Sequence, residues 1–236
     1  MIQGLHGGPM SPLRWIITYG CKLGLSLVYR IDATDLAKVP RDGPLILFTN
    51  HRGIVEAPIL YTQLAPRPKV TALAKIELFK VFFLGFVMRV WRVIPVRRGE
   101  ADREALRECI ERLKAGWILG IAPEGSRAQD GALQEAKGGI ALLALHSEAP
   151  IMPVAHWGGM KARDDLKHFR RSPFVLKTGQ TFRLDTHGQK LTKEIRQEMA
   201  DEMMYRLAIL LPEELRGAYA DLSRATTKWL SFEAGR

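Results

Sequence analysis

His51 and Glu56 are the two side chains whose types and spacing best suit proton transfer, in the stretch Asn50-His51-Arg52-Gly53-Ile54-Val55-Glu56-Ala57-Pro58. An imidazole with an ordinary pKa of about 6.5 is largely neutral at cellular pH and can take a proton from a hydroxyl, a role worth about 10²–10⁴ in rate. A carboxylate on its far nitrogen would fix the tautomer and support the imidazolium that forms. Five positions along a regular helix amount to about 500°, so this pair can meet only through a turn. Gly53 offers backbone freedom for one, and Pro58 suits the first turn of a helix running on through Ile59, Leu60 and Leu64. The same residues also fit a plainer pair, a satisfied histidine at a strand end and a solvated acid at a helix start. Covalent catalysis has less support: there is no Gly-x-Ser-x-Gly elbow, and neither Cys21 nor Cys109 lies beside a strand-end histidine.

The elements that must position these residues follow from the apolar pattern. Leu45–Phe48 is a short apolar run behind Asp42-Gly43-Pro44 and reads as a buried strand, so His51 falls at a carboxyl end, where open α/β sheets bind ligands. Val70–Ala74 reads as a second strand. Phe79–Trp91 reads as a helix apolar nearly all round, either plain core or the lining of an acyl-chain slot. Ile94–Val96 is a short strand ending in Arg97 and Arg98, and Asp102–Ala115 is an amphipathic helix stopped by Gly116. Trp117–Ala122 then empties into Pro123-Glu124-Gly125-Ser126-Arg127. Lys137-Gly138-Gly139 opens the helix Ile140–His146, Ile151–Ala155 is a strand, Lys161–Arg171 a charged surface loop, and Phe174–Leu184 further strand. Thr192–Leu211 is a helix capped by Thr192 and ended by Pro212. The succession reads as α/β: a single domain with a central, mostly parallel (mixed) sheet flanked by helices.

At 236 residues the chain can bury a full core, and its formal net charge of +10 implies an anionic partner. Without an arginine-rich tract, zinc-finger spacing or an interleaved basic and aromatic segment, nucleic acid fits poorly and an anionic membrane surface fits better. Pro12–Arg30 is helical, rich in aromatic and aliphatic residues, with Arg14, Lys22 and Arg30 spaced along it. It is too short to span a bilayer and suits the membrane interface; the other possibility is a core-packed first helix. No secretory signal is expected, the two cysteines point to a reducing compartment, and His6, His146, His156, His168 and His187 are not spaced as metal ligands.

Asn50-His51-x-x-x-x-Glu56-x-Pro58 resembles the first block of the glycerolipid acyltransferases of the lysophosphatidic acid type, with glutamate where that family has aspartate. Lys75-x-Glu77-Leu78 with Ile94-Pro95-Val96-Arg97-Arg98-Gly99 resembles the second block, Pro123-Glu124-Gly125-Ser126-Arg127 the third, and Ile151-Met152-Pro153-Val154-Ala155 the fourth. The resemblance, over about residues 30–219, implies transfer of a fatty acyl group from acyl-CoA or acyl-carrier protein, as co-substrate and with no cofactor or metal, to 1-acylglycerol 3-phosphate. His51 would be the general base and Glu56 its partner. Arg98 and Arg127 would hold the acceptor phosphate, which guanidinium matches in a two-point geometry. Glu124 and Gly125 would sit in acceptor binding, with Glu124 either holding an arginine or accepting from a hydroxyl. On this basis residues 1–30 form a membrane-associating helical segment, 31–220 the acyltransferase domain and 221–236 a tail, at the cytoplasmic face of the cell membrane. The alternatives are another lysolipid or glycerol 3-phosphate as acceptor, or a lipid-binding protein without catalysis, and Glu56 is the residue that decides among them.

Overall fold

The computed structural model describes residues 10–97, 102–124 and 131–232. Among the described residues, nine strands form one sheet: β1 (Tyr29–Asp32), β2 (Leu45–Thr49), β3 (Val70–Lys75), β4 (Ile94–Val96), β5 (Ile118–Ile121), β6 (Ile151–Gly158), β7 (Ser172–Thr178), β8 (Phe182–Leu184) and β9 (Leu230–Phe232). Their order is β1-β7-β6-β2-β5-β3-β4, with β8 on β6 and β9 on β8. From β6 through β2, β5 and β3 to β4 every pairing is parallel, while β7, β8 and β9 add antiparallel pairs. The expected mostly parallel mixed sheet is therefore the one observed.

A parallel strand covered on both faces must be apolar throughout, and β2 shows this. Leu45 and Leu47 pack with α1 (Pro12–Val28), α2 (Glu56–Leu64) and α3 (Phe82–Val90). Ile46 and Phe48 point the other way, to α4 (Arg103–Lys114), α5 (Gly139–Ser147) and α7 (Lys193–Ala208). The two helix layers start and stop where local chemistry directs. Ser11 accepts from the Arg14 N–H with Pro12 behind it, Asp102 from the Ala105 N–H, and Thr192 from the Ile195 N–H. Gly116 sits at φ +81°, a left-handed conformation open to glycine, and ends α4 as its sequence position suggested.

Several boundaries differ from the sequence pattern. The Phe79–Trp91 run does not form one helix: a 3₁₀ turn over Ile76–Lys80 precedes α3. Nor is α3 plain core, because Gly85, Val87 and Met88 are buried while Phe82 is 93% exposed and Phe83 and Phe86 are open as well. The Lys161–Arg171 loop contains a short helix, α6 (Ala162–Lys167). Residues 221–232 are not an appended tail. Trp229 is buried, β9 extends the sheet, and Glu202 of α7 accepts the backbone N–H groups of Lys228 (2.8 Å) and Trp229 (2.9 Å).

α1 is a packed helix as well as an exposed one. Ile17, Cys21, Leu25 and Val28 lie against the core, whereas Leu13, Ile16, Leu23 and Leu27 face outward as an apolar stripe at helical spacing. Arg14, one of the three basic residues spaced along this segment, is buried. Its guanidinium donates to the Tyr61 hydroxyl (2.8 and 2.5 Å) and to the carbonyls of Pro68 (2.5 Å) and Val70 (3.0 Å). No described helix is long and apolar enough to cross a membrane.

Candidate active site

The β2–β6 ladder runs out at Thr49, paired with Val154, and Asn50 then continues it with its side chain. The Asn50 amide nitrogen donates to the His156 carbonyl (2.9 Å), and its amide oxygen accepts the His156 backbone N–H (2.9 Å). A carboxamide reproduces the donor and acceptor of a peptide unit, so two buried backbone groups that the ladder leaves behind stay paired. The His156 ring adds a third bond, from Nε2 to the Asn50 carbonyl (2.7 Å). A carbonyl only accepts, so Nε2 carries the proton. Nδ1 is then a bare acceptor, buried and without a hydrogen-bond partner. Burial lowers the His156 pKa to about 4, against the opposing pull of Glu56, and the ring stacks on Phe174 with centroids 5.5 Å apart.

With Asn50 fixed, His51 begins the turn that follows. Its backbone N–H donates to Glu124 Oε1 (2.8 Å), and Glu124 Oε2 accepts from the Gln134 N–H (3.1 Å). Glu124 stands just beyond β5, so one buried carboxylate ties three chain segments together. Burial pushes its pKa up to about 7, with the Glu56 charge adding to the rise and the two N–H donors opposing it. Both oxygens of Glu124 therefore serve the backbone, a use that neither sequence-based role anticipated.

Glu56 is the first residue of α2 and is buried. Its Oε1 accepts the N–H groups of Arg52 (2.8 Å) and Gly53, folding the turn back on the helix start. Oε2 is buried without a hydrogen-bond partner, so the expected bond between Glu56 and the His51 ring is not formed. Gly53 does not take a left-handed φ, so the turn is closed by the carboxylate and not by glycine's freedom.

His51, Glu56, Asn50 and His156 line one cavity of about 290 Å³. Its inner wall is apolar, from Leu47, Leu60, Leu64, Val70 and Leu73, and Arg97 and Lys137 bring cations to its polar part. The slot lies between α2 and strands β2, β3 and β5; the Phe79–Trp91 run takes no part in lining it. Of the residues singled out in the sequence, His51 and Glu56 share this cavity and Glu124 braces it. Arg98, Gly125 and Arg127 lie outside the described residues. Asn50, Arg97, Lys137 and His156 were missed as site residues; a histidine near the end of an otherwise apolar strand was the signal that could have found His156.

A protein-family model described as Acyltransferase matches residues 30–157, more than half of the chain. The chain belongs to the acyltransferase family. Among curated proteins, this acyltransferase is 27% identical over 133 residues to a chloroplastic 1-acyl-sn-glycerol-3-phosphate acyltransferase of Brassica napus, covering 55% of this chain and 38% of that protein. It therefore spans well under half of that relative's length. It is also 27% identical over 146 residues to a 1-acyl-sn-glycerol-3-phosphate acyltransferase of Bacillus subtilis, covering 62% of this chain and 72% of that one. The crystal structure of the 1-acyl-sn-glycerophosphate acyltransferase of Thermotoga maritima superposes with a TM-score of 0.56 at 22% identity, over 81% of this chain and 76% of that chain, and shares the fold.

Proposed function

We propose that this acyltransferase moves a fatty acyl group from acyl-CoA or acyl-carrier protein to the free hydroxyl of 1-acylglycerol 3-phosphate, giving phosphatidic acid for phospholipid synthesis. The observation that carries this reading is one cavity, apolar along α2 and the sheet, that ends at His51 and Glu56 inside the family-matched segment. His51 takes the hydroxyl proton as the oxygen attacks the thioester carbonyl. The tetrahedral intermediate then collapses, the carbon–sulfur bond breaks, and the leaving thiolate receives the proton from the imidazolium. Glu56 Oε2, buried without a hydrogen-bond partner in the same cavity, is the acceptor for the second His51 nitrogen. The buried Cys109 thiol, its pKa pushed up to about 12 by desolvation, is no nucleophile. The apolar slot takes an acyl chain, Arg97 and Lys137 face the acceptor phosphate, and Arg98, Gly125 and Arg127 complete its binding. The enzyme works at the cytoplasmic face of the membrane, with the outward stripe of α1 in the lipid interface.

The test is turnover of lysophosphatidic acid with acyl-CoA and with acyl-carrier protein, products resolved by mass. His51→Ala is expected to lower phosphatidic acid formation at least about a hundredfold with the thermal midpoint unchanged. Retained turnover would remove the base from the mechanism. A second reading, lipid binding without catalysis, is favoured by one observation, the engagement of Glu56 Oε1 by the backbone. Persistent vesicle binding with no transfer to any of a panel of lysolipids or to glycerol 3-phosphate would establish it.

A further inference from the structure

The segment between β6 and β7 has no part in the cavity at His51, yet it is built around a second, cationic one. Gly158 and Gly159, at φ +96° and +75°, turn the chain out of β6, and α6 and a return turn bring it back to β7. β1 runs parallel to β7 with Arg30 beside Pro173, so the residue two places past the end of α1 meets the end of this segment. Arg30, Lys161, Arg170 and Arg171 line a cavity of about 530 Å³ together with Asp165 and Pro173. The one carboxylate faces four cations, and it approaches only Arg170, at 3.8 Å. Among the described residues, Arg30, Lys161 and Arg171 have no ion-pair partner.

Exposed apolar residues adjoin the lining residues along the chain. Phe169 is fully exposed and holds a left-handed φ of +53°, a conformation that costs a bulky residue about 1–2 kcal/mol and that glycine or asparagine adopts more readily. Met160 and Leu166 of the same segment are also exposed. Arg171 donates to the carbonyl of Ser26 (3.3 Å), which joins the cavity to the end of α1 where Leu23 and Leu27 face outward. A cluster of cations set among exposed apolar side chains matches the boundary of a bilayer, where phosphates lie just above the acyl chains.

We propose that this cavity holds the phosphate of an anionic phospholipid in the membrane, with Phe169, Leu23 and Leu27 in the adjoining apolar layer. The proposal rests on the membrane reading given above and adds to it a headgroup site separate from the acceptor pocket, since the two cavities share no residue. Guanidinium and ammonium groups bind phosphate oxygens through charge-assisted hydrogen bonds, and each basic residue near an anionic surface adds to the attraction.

Vesicle sedimentation of the full chain tests it, with phosphatidylcholine vesicles against vesicles containing about a third phosphatidylglycerol, at about 0.1 M salt. The triple variant R30Q/K161Q/R170Q changes only exposed side chains. It is expected to bind anionic vesicles at least about tenfold more weakly at an unchanged thermal midpoint. The control K114Q/K190Q/K193Q removes the same charge from the end of α4, the loop before α7 and the first residue of α7, in the opposite layer, and should lose less than about twofold. Equal losses in the two triples would mean bulk charge and overturn the site. So would abolition of the anionic preference by millimolar inorganic phosphate or glycerol 3-phosphate, which would make it a soluble-anion site. F169S should weaken binding to both vesicle types and keep their ratio. If the triple variant lost its fold, K161Q alone, at an exposed position, should still cost about threefold, and no change would count against the proposal. A wild-type chain that ignores anionic vesicles sinks the membrane reading itself; wild-type binding that survives in R30Q/K161Q/R170Q sinks only the site.

Discussion

Glu56 has one carbon more than the aspartate of the resembled motif, and the structure shows where that length goes. Its Oε1 reaches back to the N–H groups of Arg52 and Gly53, and Oε2 is left buried without a hydrogen-bond partner. A side chain shorter by about 1.5 Å would have to give up these backbone donors to make the proposed contact with the ring. Glu56→Asp is therefore expected to lower kcat about tenfold or more with KM nearly unchanged, measured by steady-state turnover. Equal or higher activity would mean that the turn adapts and that the ring contact alone matters. Glu124 makes a prediction about pH. Its folded pKa, raised from 4.5 to about 7, exceeds its unfolded value, so the folded state binds the proton more tightly. The resulting stabilisation is present below about pH 4.5 and is lost as pH rises through about 7, an effect of up to about 3 kcal/mol. Denaturant unfolding from pH 5 to pH 8 should show this slope in the wild type. It should be missing from Glu124→Gln, which cannot ionise and is less stable because its amide nitrogen meets an N–H donor.

At the scale of elements, α1 depends on one buried cation. The Arg14 guanidinium joins the helix to the Tyr61 hydroxyl of α2 and to the carbonyls of Pro68 and Val70 at the start of β3. Arg14→Ala leaves those acceptors buried and unpaired, and is expected to cost about 3 kcal/mol in chemical denaturation, against less than about 0.5 for Lys22→Ala, which is only half-buried. Here sequence could not distinguish the two basic residues, because both lie on one helix and only the packing of α2 against it buries Arg14. The same limit applied to α3. Its run of phenylalanines and aliphatic residues fits burial on all sides, and whether Phe82 or Val87 meets protein depends on where the neighbouring helix stops. By contrast β2, β5 and the cap at Thr192 were legible, since a short two-sided apolar run and a side-chain oxygen before a helix act through local geometry.

The whole molecule closes its second helix layer with a segment that sequence sets apart as a tail. Trp229 is 1% exposed, and its ring nitrogen donates to Glu198 of α7 (2.9 Å). Trp229→Ala should lower unfolding stability by about 3–5 kcal/mol, and a loss under about 1 would show that residues 221–232 add little to the fold. The order of apolar runs and turns determined the α/β class, the strand ends and the candidacy of His51, because strand burial and turn formation depend on residues close in the chain. Only tertiary structure decided the partners. Asn50 meets His156 across 106 positions and His51 meets Glu124 across 73, and such contacts follow from which strands lie side by side. Charge pattern is blind to that: Glu124 looks like a binding acid until two backbone N–H groups are found on its oxygens.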